Sequence, residues 1–174
     1  MSEKNVRGSV IKGYLKYVKR TWGKKGLKEC EDFVNINLDN IKDKEWYPQK
    51  FDSNILGWIA ETKGEKYIER AGYYVMKDLG ILSYIVKFVN IKSLLKKAPK
   101  SYEDGFDFGK ISVDIEENEA TIKMKGLAVD DWSCTAWLGA YKAMLDMTNT
   151  KGSVEKVKCE LEGDNHCEYH IVWD

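Results

Sequence analysis

Three cysteines in the last third of the chain are the residues whose type and spacing indicate chemistry. Cys159 and Cys167 flank a polar turn centred on Gly163, and apolar and polar residues alternate on both sides of that turn. Such alternation around a Gly-Asp-Asn cluster predicts two half-buried strands joined as a hairpin. In this register Cys159 and Cys167 lie opposite each other on the inward face, about 5 Å apart at Cβ. The same parity predicts that Val157 and Leu161 also point inward.

The third thiol, Cys134, belongs to the segment from Asp130 to Thr148. Its apolar residues recur at spacings of three and four, which predicts a helix, and Asp130 suits the N-terminal cap. A helix packed on the inner face of the hairpin would bring the three thiols together. Three thiolates and one further ligand are a common composition for tetrahedral zinc. On spacing alone, a plain core of buried cysteines and a disulfide between the opposed pair remain alternatives. The fourth cysteine, Cys30, is interpreted as packing.

The elements that must position these thiols follow from the rest of the pattern. Five helices are predicted before Pro99, with a break at Gly23 and with 81–97 as the most apolar helix. Alternation at 111–115 and 120–124 predicts a first hairpin, so that the C-terminal half reads ββαββ. The sequence therefore predicts an α+β fold in which N-terminal helices pack on a four-stranded antiparallel sheet. We expect one domain over 1–174, with a helical part at 1–100 and a sheet part at 108–174.

Composition and charge limit the classes of function. The 28 basic and 28 acidic residues balance, but 1–100 holds 21 basic against 12 acidic residues and 101–174 holds 7 against 16. Because the basic residues are scattered at helical spacing, we interpret them as a solvated helical surface and expect no nucleic-acid binding. No apolar run approaches the roughly 20 residues of a membrane span. The N-terminus lacks the apolar core of a signal peptide, so we expect a cytoplasmic, reducing location, which disfavours a disulfide.

The cysteine pattern resembles the 4-vinyl reductase-type (hydrocarbon-binding) domain family. The resemblance rests on Cys134 with Gly139 five residues later, then Cys159, Gly163-Asp164 and Cys167. That family includes a vinyl reductase of bacteriochlorophyll synthesis, archaeal stand-alone proteins and sensor domains that bind aromatic compounds. Its sensor members carry zinc on three such cysteines and on a glutamate three residues before the second.

The resemblance therefore implies zinc on Cys134, Cys159 and Cys167. Lys156 stands where the sensor members have the glutamate, so the sequence leaves Glu155, His166 or water as the fourth ligand.

A fainter resemblance connects the first half to haem nitric-oxide-binding domains. It rests on four short stretches: Arg7-Gly8-Ser9-Val10, Trp22-Gly23, Trp46 with Pro48, and Thr62-Lys63-Gly64. Those domains and the TRAPP transport subunits share a superfamily with the vinyl reductase-type domain. The haem proteins use an axial histidine on a middle helix, whereas this chain has histidine only at positions 166 and 170, on the predicted last strand. Haem is therefore not expected as a cofactor, although cysteine or tyrosine can also ligate haem iron.

Aromatic residues at helical spacing suggest where a ligand would bind. The resemblance implies an apolar cavity between helices and sheet, and the residues expected to line it are Tyr84, Phe88, Trp132, Trp137 and Tyr141. Such residues are also common in a plain core. Enzymatic activity is not favoured, since both histidines have the outward parity and cannot deprotonate the inward thiols. We therefore expect a non-catalytic sensor or binding domain for a small hydrophobic molecule, with structural zinc, as a homodimer through an apolar helix. The alternatives are a tetrapyrrole vinyl-reductase-like component and a TRAPP-like structural adaptor.

Overall fold

The structure is a computed structural model that describes residues 3–78 and 90–174. Two short 3-10 helices cover Leu38–Asn40 and Glu160–Glu162. Among the described residues, no helix combines the length and the apolar character that crossing a membrane requires. The other elements, in chain order, are β1 (Asn5–Arg7), α1 (Gly8–Val34), β2 (Trp46–Pro48), α2 (Lys50–Lys63), α3 (Lys66–Asp78), α4 (Ile91–Gly105), β3 (Lys110–Ile115), β4 (Glu119–Lys125), α5 (Ser133–Met147), β5 (Gly152–Lys158) and β6 (Cys167–Trp173).

The predicted α+β class and four-stranded antiparallel sheet are confirmed. The sheet has the order β3-β4-β6-β5, and all three pairings are antiparallel. The inward residues of β4 and β6 alternate with outward ones, as a period of two requires. A small two-stranded sheet of β1 and β2 lies at the start of the chain. Helix α5 crosses between the two hairpins of the large sheet, which gives the ββαββ order.

The buried residues form two clusters. One lies among α1, α2 and α3, and the other lies between α4, α5 and the inner face of the large sheet. Helix α1 is interrupted at Gly23, where φ is +71°, a value that glycine adopts without the strain a side chain would cause. The predicted helix break at this position is therefore present. Cys30 lies in the first cluster and is fully buried, whereas the other three cysteines belong to the second.

Helix α4 extends further than the sequence predicted. Pro99 was expected to end a helix over 81–97, but it lies inside α4, which continues to Gly105. The reason is tertiary packing, since Leu95 and Tyr102 on either side of the proline are both buried. The first part of the predicted apolar helix, 81–89, lies outside the described residues.

Two glycines set the distance between α3 and α5. A Cβ atom added at Gly72 would lie 1.8 Å from the carbonyl oxygen of Ala136, and one added at Gly139 would lie 1.8 Å from that of Glu69. The backbones of the two helices therefore touch, and neither position has room for a side chain. This contact fixes α5 against the helical half, and α5 carries both Cys134 and Trp137.

Asp52 is the main departure from the predicted helix starts. The sequence suggests Asp52 or Ser53 as the cap of this helix, but both lie inside α2, and Asp52 is 8% exposed and makes no capping bond. Within the described residues, its Oδ1 atom has no hydrogen-bond partner. Burial of the carboxyl group raises the pKa of Asp52 to about 8, and the negative charge of Asp130 contributes to the same shift. The side chain is therefore a protonated acid at neutral pH.

This buried acid leads to a pH-dependent prediction. Because the pKa is raised from an unfolded value of about 3.9, the stabilisation that Asp52 contributes is full below pH 4 and is lost as pH rises through about 8. Between pH 5 and pH 8.5 Asp52→Asn should therefore gain about 4 kcal/mol of stability relative to the wild type, since each of the roughly three pH units up to the folded pKa corresponds to about 1.4 kcal/mol. Urea unfolding at pH 5 and pH 8.5 measures the difference, which should shrink at pH 5. A difference independent of pH would contradict the assignment.

Candidate metal and ligand site

The three C-terminal thiols meet at one point. The Sγ atom of Cys134 lies 3.3 Å from that of Cys167 and 3.5 Å from that of Cys159. All three side chains are almost fully buried, and their sulfur atoms lie within 4.8 Å of one another. The helix and the hairpin that carry them are thus packed as the sequence pattern suggested.

The sulfur–sulfur distances bear on the three interpretations of this cluster. A disulfide requires about 2.05 Å, so none is formed between these cysteines. Thiolates bound to one tetrahedral ion at 2.3 Å lie about 3.8 Å apart. The observed distances of 3.3 and 3.5 Å are within a few tenths of an ångström of that spacing. A metal ion therefore fits this cluster after a small outward movement of the sulfur atoms.

The turn after β5 holds the second thiol in place. The backbone N–H of Cys159 donates to the carboxylate of Asp164 at 2.9 Å, and its carbonyl accepts from Glu162 and Asp164. Gly163 has φ of +100°, a conformation that a side chain would strain. The Gly163-Asp164 pair thus has a local structural role, which is to return the chain from Cys159 to β6.

Two contacts connect this turn to the surrounding elements. The carboxylate of Glu160 accepts hydrogen bonds from the backbone N–H groups of residues 126–128, at 2.9 to 3.3 Å. The phenol of Tyr169 donates to the carbonyl oxygen of Cys134 at 2.8 Å. The first contact attaches the turn to the loop after β4, and the second attaches the start of α5 to β6.

Hydrogen bonding makes the three thiols unequal. The bond from the Cys134 thiol lowers the pKa of Cys167 to about 6, helped by the backbone N–H of Glu160 at 3.4 Å. The same bond raises the pKa of Cys134, and burial raises it further. One thiolate is therefore available at neutral pH to begin binding a metal ion, which is the form that ligates.

A β-bulge changes the predicted inner face of β5. The pairing of β5 with β6 shifts between Lys156 and Lys158, so that one residue has no partner there. Val157 and Leu161 were expected to point inward, but they are 40% and 45% exposed. The bulge reverses the alternation before it, so Val157 points outward and Lys156 takes the inward parity instead. Leu161 is exposed because it lies beyond the strand, in the 3-10 helix Glu160–Glu162. Cys159, beyond the bulge, is still inward.

The sequence suggested two side chains as the fourth metal ligand, Glu155 and His166, and neither lies in the thiol cluster. Glu155 pairs with His170 on β6 and is exposed on the outer face of the sheet. The imidazole of His166 contacts Asn165 and Glu168. Among the described residues, no histidine, aspartate or glutamate joins the three cysteines within 4.8 Å. Residues 1–2 and 79–89 contain none of these residue types.

An apolar cavity of about 270 Å³ lies further along α5 from the thiol cluster. Its walls come from α1, α3, α4, α5 and β3, and Ser9, Ser101 and Asp104 are the polar residues among them. The volume is close to the lower end of the range for small-molecule pockets, about 300 Å³. A wider surface depression around Lys142 and Lys151 opens to solvent and shares no residue with this cavity. The apolar side chains that line the cavity are Val10, Met76, Leu94, Ala98, Tyr102, Phe106, Ile111, Trp137, Tyr141, Met144 and Met147.

The five residues expected to line a ligand pocket are placed differently. Trp137 and Tyr141 lie on the cavity wall. Trp132 instead packs against the helical core, with Gly57 next to its indole nitrogen. Tyr84 and Phe88 lie outside the described residues.

The sequence interpretation missed two aromatic residues that complete the cavity wall. Tyr102 and Phe106 stack with ring centroids 4.7 Å apart, and both rings contact Trp137. Their spacing of four residues would have indicated a shared helical face if α4 had been predicted to pass Pro99. From Trp137 the ring contacts continue through Tyr141 to Tyr169, whose hydroxyl reaches Cys134. Packed aromatic groups therefore join the cavity to the thiol cluster.

Comparison with known proteins identifies the fold. No family model matches the chain, and no curated protein sequence matches it. Solved structures of H-NOX domains do match over nearly the whole length. One is an oxygen-binding H-NOX domain related to soluble guanylate cyclases, with 12% identity, a TM-score of 0.76, and coverage of 97% of this chain and 95% of that chain. Another is an H-NOX protein from S. oneidensis, with 14% identity, a TM-score of 0.76, and coverage of 97% and 96%. At these identities the likeness shows the fold alone.

This likeness corrects the expectation about haem. Haem was not expected because no histidine lies on a middle helix, but the matching structures include work on haem distortion in the H-NOX family and on haem redox potential set by porphyrin distortion. That expectation is wrong, because the chain has the fold of H-NOX domains, in which haem is studied.

The residues of the cavity fit haem in part. The apolar walls suit a porphyrin, whereas the only two histidines of the chain lie on or beside the outer face of β6, beside Glu168. Besides Ser9, Ser101 and Asp104, the wall carries tyrosine and methionine side chains, which also occur as haem ligands. Those side chains are Met76, Tyr102, Tyr141, Met144 and Met147.

Proposed function

We propose that the protein is a non-catalytic domain that binds a small hydrophobic molecule in the cavity between α4 and α5, and that a zinc ion on Cys134, Cys159 and Cys167 stabilises it. The observation that carries this proposal is the double role of α5. Cys134, in the first turn of this helix, belongs to the thiol cluster, and Trp137 and Tyr141, one and two turns further along, line the cavity wall. An ion that fixes the first turn would also fix the part of the helix that lines the cavity.

The composition of the cavity supports a hydrophobic ligand. Aliphatic, aromatic and methionine side chains form most of the wall, and methionine adapts its shape to an irregular guest. The few polar groups, such as Ser101 and Asp104, could orient one polar substituent. An apolar ligand with at most one or two polar atoms suits this lining best.

The position of the histidines supports a role without catalysis. His166 and His170 both contact the carboxylate of Glu168, at 2.9 and 3.3 Å, on the opposite side of the sheet from the thiols. A general base must lie within hydrogen-bond reach of the group it deprotonates. We therefore propose that the thiols hold a metal ion and do not act as nucleophiles.

We also propose that the chain belongs to the 4-vinyl reductase-type family within this fold. The convergence of Cys134, Cys159 and Cys167 supports the proposal, as does the role of Gly163-Asp164 in the turn between the last two. A homodimer formed through an apolar helix is part of the same proposal. Sedimentation equilibrium tests it, and a monomer at micromolar concentration would contradict it.

Blocking the cavity should abolish ligand binding. Ala98 lines the cavity on α4, so Ala98→Trp should fill it and weaken binding of the apolar fluorescent probe 1-aminoanthracene at least tenfold, or about 1.4 kcal/mol. Fluorescence titration of the folded variants measures this. Lys97→Trp, exposed on the same helix, is the matched control and should bind the probe as the wild type does. Equal affinity of both variants would contradict the cavity as the binding site.

A tetrapyrrole is the second candidate ligand, and the fold shared with H-NOX domains favours it. The tyrosine and methionine side chains on the cavity wall are the protein groups that would face it. Adding haem to the purified protein and recording its visible spectrum tests this candidate. A saturable shift at one equivalent, lost in Ala98→Trp and kept in Lys97→Trp, is expected if a tetrapyrrole binds here. A spectrum equal to that of free haem would contradict it.

A further inference from the structure

The bulge in β5 places a lysine beside the thiol cluster. Lys156 pairs with Tyr169 on β6, which is two residues from Cys167 on the inward face of the sheet. Its side chain is 29% exposed, and its ammonium lies 2.9 Å from the carboxylate of Glu162 at the rim of the turn. Lys156 is thus at the boundary between the buried thiols and solvent.

The electrostatics of Lys156 agree with this position. Partial burial lowers its pKa, but the bond to Glu162 and the negative charge of Cys159 and Cys134 raise it overall. The ammonium group therefore stays charged at neutral pH on the inward parity of β5.

The donor set of the cluster leaves one coordination position without a protein ligand. Tetrahedral zinc takes four ligands, and three protein ligands with water in the fourth position are typical of open zinc sites. Over the described residues, only the three cysteines offer ligand atoms close enough to one another. Both candidates that the sequence suggested, Glu155 and His166, lie on the other side of the sheet or are engaged elsewhere.

The net charge of the metal site determines which kind of external ligand can bind at the fourth coordination position. Three thiolates exceed the charge of a divalent ion by one, so a further anion in a buried site would be strongly disfavoured without a cation nearby. The ammonium of Lys156 supplies that cation. A glutamate at this position would instead fill the coordination shell and close it.

We propose that the fourth coordination position of the thiolate-bound ion is open to exchange, and that Lys156 allows a compact monoanion to replace water there. This inference rests on the proposed metal site. The exchange forms one metal–anion bond and breaks one metal–water bond, the water leaves as a neutral molecule, and no electron is transferred.

Cobalt substitution tests the proposal on the full chain. Co²⁺ bound to three thiolates has d–d absorption bands that depend on its fourth donor, and azide is the probe anion. In the wild type, azide should change these bands with a saturable dependence. Lys156→Met should weaken the affinity for azide at least tenfold, whereas Lys158→Met, which removes an exposed charge from the outer face of the same strand, should leave it unchanged.

A second variant separates the possible outcomes. In Lys156→Glu the new carboxylate should occupy the fourth position, so the cobalt bands should differ from the wild type before azide is added and should not respond to it. If the wild type binds one equivalent of cobalt but its absorption bands do not change with azide, the fourth coordination position is not open to exchange. The metal site itself would still be supported by that result. Failure to bind cobalt at all would overturn the metal site, and this inference with it.

Discussion

Cys167→Ser is expected to abolish zinc binding and to lower the thermal midpoint by about 10 °C. A hydroxyl is a poor substitute for the thiolate, and the sulfur of Cys167 lies 3.3 Å from that of Cys134 in the cluster. A ligand that binds only the folded state stabilises it by about 4 kcal/mol at a concentration 1,000 times its Kd. For a domain of this size, 1 kcal/mol corresponds to about 2–4 °C. Calorimetry and metal analysis of the same preparations measure both effects.

Cys30 provides the matched control for this experiment. It is also fully buried, but it lies in the helical core, and burial raises the pKa of its thiol to about 12. Cys30→Ala should lose some packing energy and keep one zinc ion per chain. Loss of zinc in both variants, or in neither, would show that the C-terminal thiols do not form the site.

Gly139→Ala is expected to destabilise the protein by about 3 kcal/mol or more, close to the upper end of the usual cost of overpacking. The added Cβ would lie 1.8 Å from the carbonyl oxygen of Glu69, which belongs to the backbone of α3 and cannot rotate away. Helix α5 would have to move off α3 and carry Cys134 and Trp137 with it. We therefore expect weaker binding of both zinc and the apolar probe, measured together with urea unfolding.

Gly57→Ala is the control for the glycine contact. Gly57 is also inside a helix, but the nearest atom to an added Cβ is the Trp132 indole nitrogen at 3.9 Å. Alanine should stabilise this helix by about 0.5–1 kcal/mol, since glycine is the weaker helix former. If Gly139→Ala and Gly57→Ala had the same stability, α3 and α5 would not be in backbone contact.

Local sequence patterns were sufficient for much of the fold. Alternation around the turns predicted both hairpins, and Asp130 accepts hydrogen bonds from the backbone N–H groups of Trp132 and Ser133 at the start of α5, as an N-terminal cap should. Gly23 interrupts α1 where the break was expected. These features depend on residues close together in the chain, so a short window of sequence contains the information.

The features that were missed depend on distant contacts or on one inserted residue. The bulge beside Val157 has no marker residue such as glycine, yet it reverses the inward parity of β5 and brings Lys156 to the thiols. The prediction that Pro99 ends a helix rested on the local effect of proline on the backbone. In the structure, the burial of Leu95 and Tyr102 keeps the helix intact around Pro99.

The mistaken expectation about haem has a different origin. It rested on the absence of a histidine from the middle helices, whereas a fold can be kept while many of its side chains change. The likeness to H-NOX domains at 12–14% identity lies in the backbone arrangement, which residue matching could detect only in short stretches such as Trp22-Gly23.

Native mass spectrometry of the purified full chain tests the central claim most directly, because it measures the mass of the protein together with any metal ion or small molecule bound beside α5. We predict a mass that exceeds that of the polypeptide by the mass of one zinc ion and, in part of the population, also by that of one small hydrophobic molecule. The second component should disappear in Ala98→Trp, and the first should remain. A wild-type protein that carries neither, even after incubation with zinc and 1-aminoanthracene, would contradict the account.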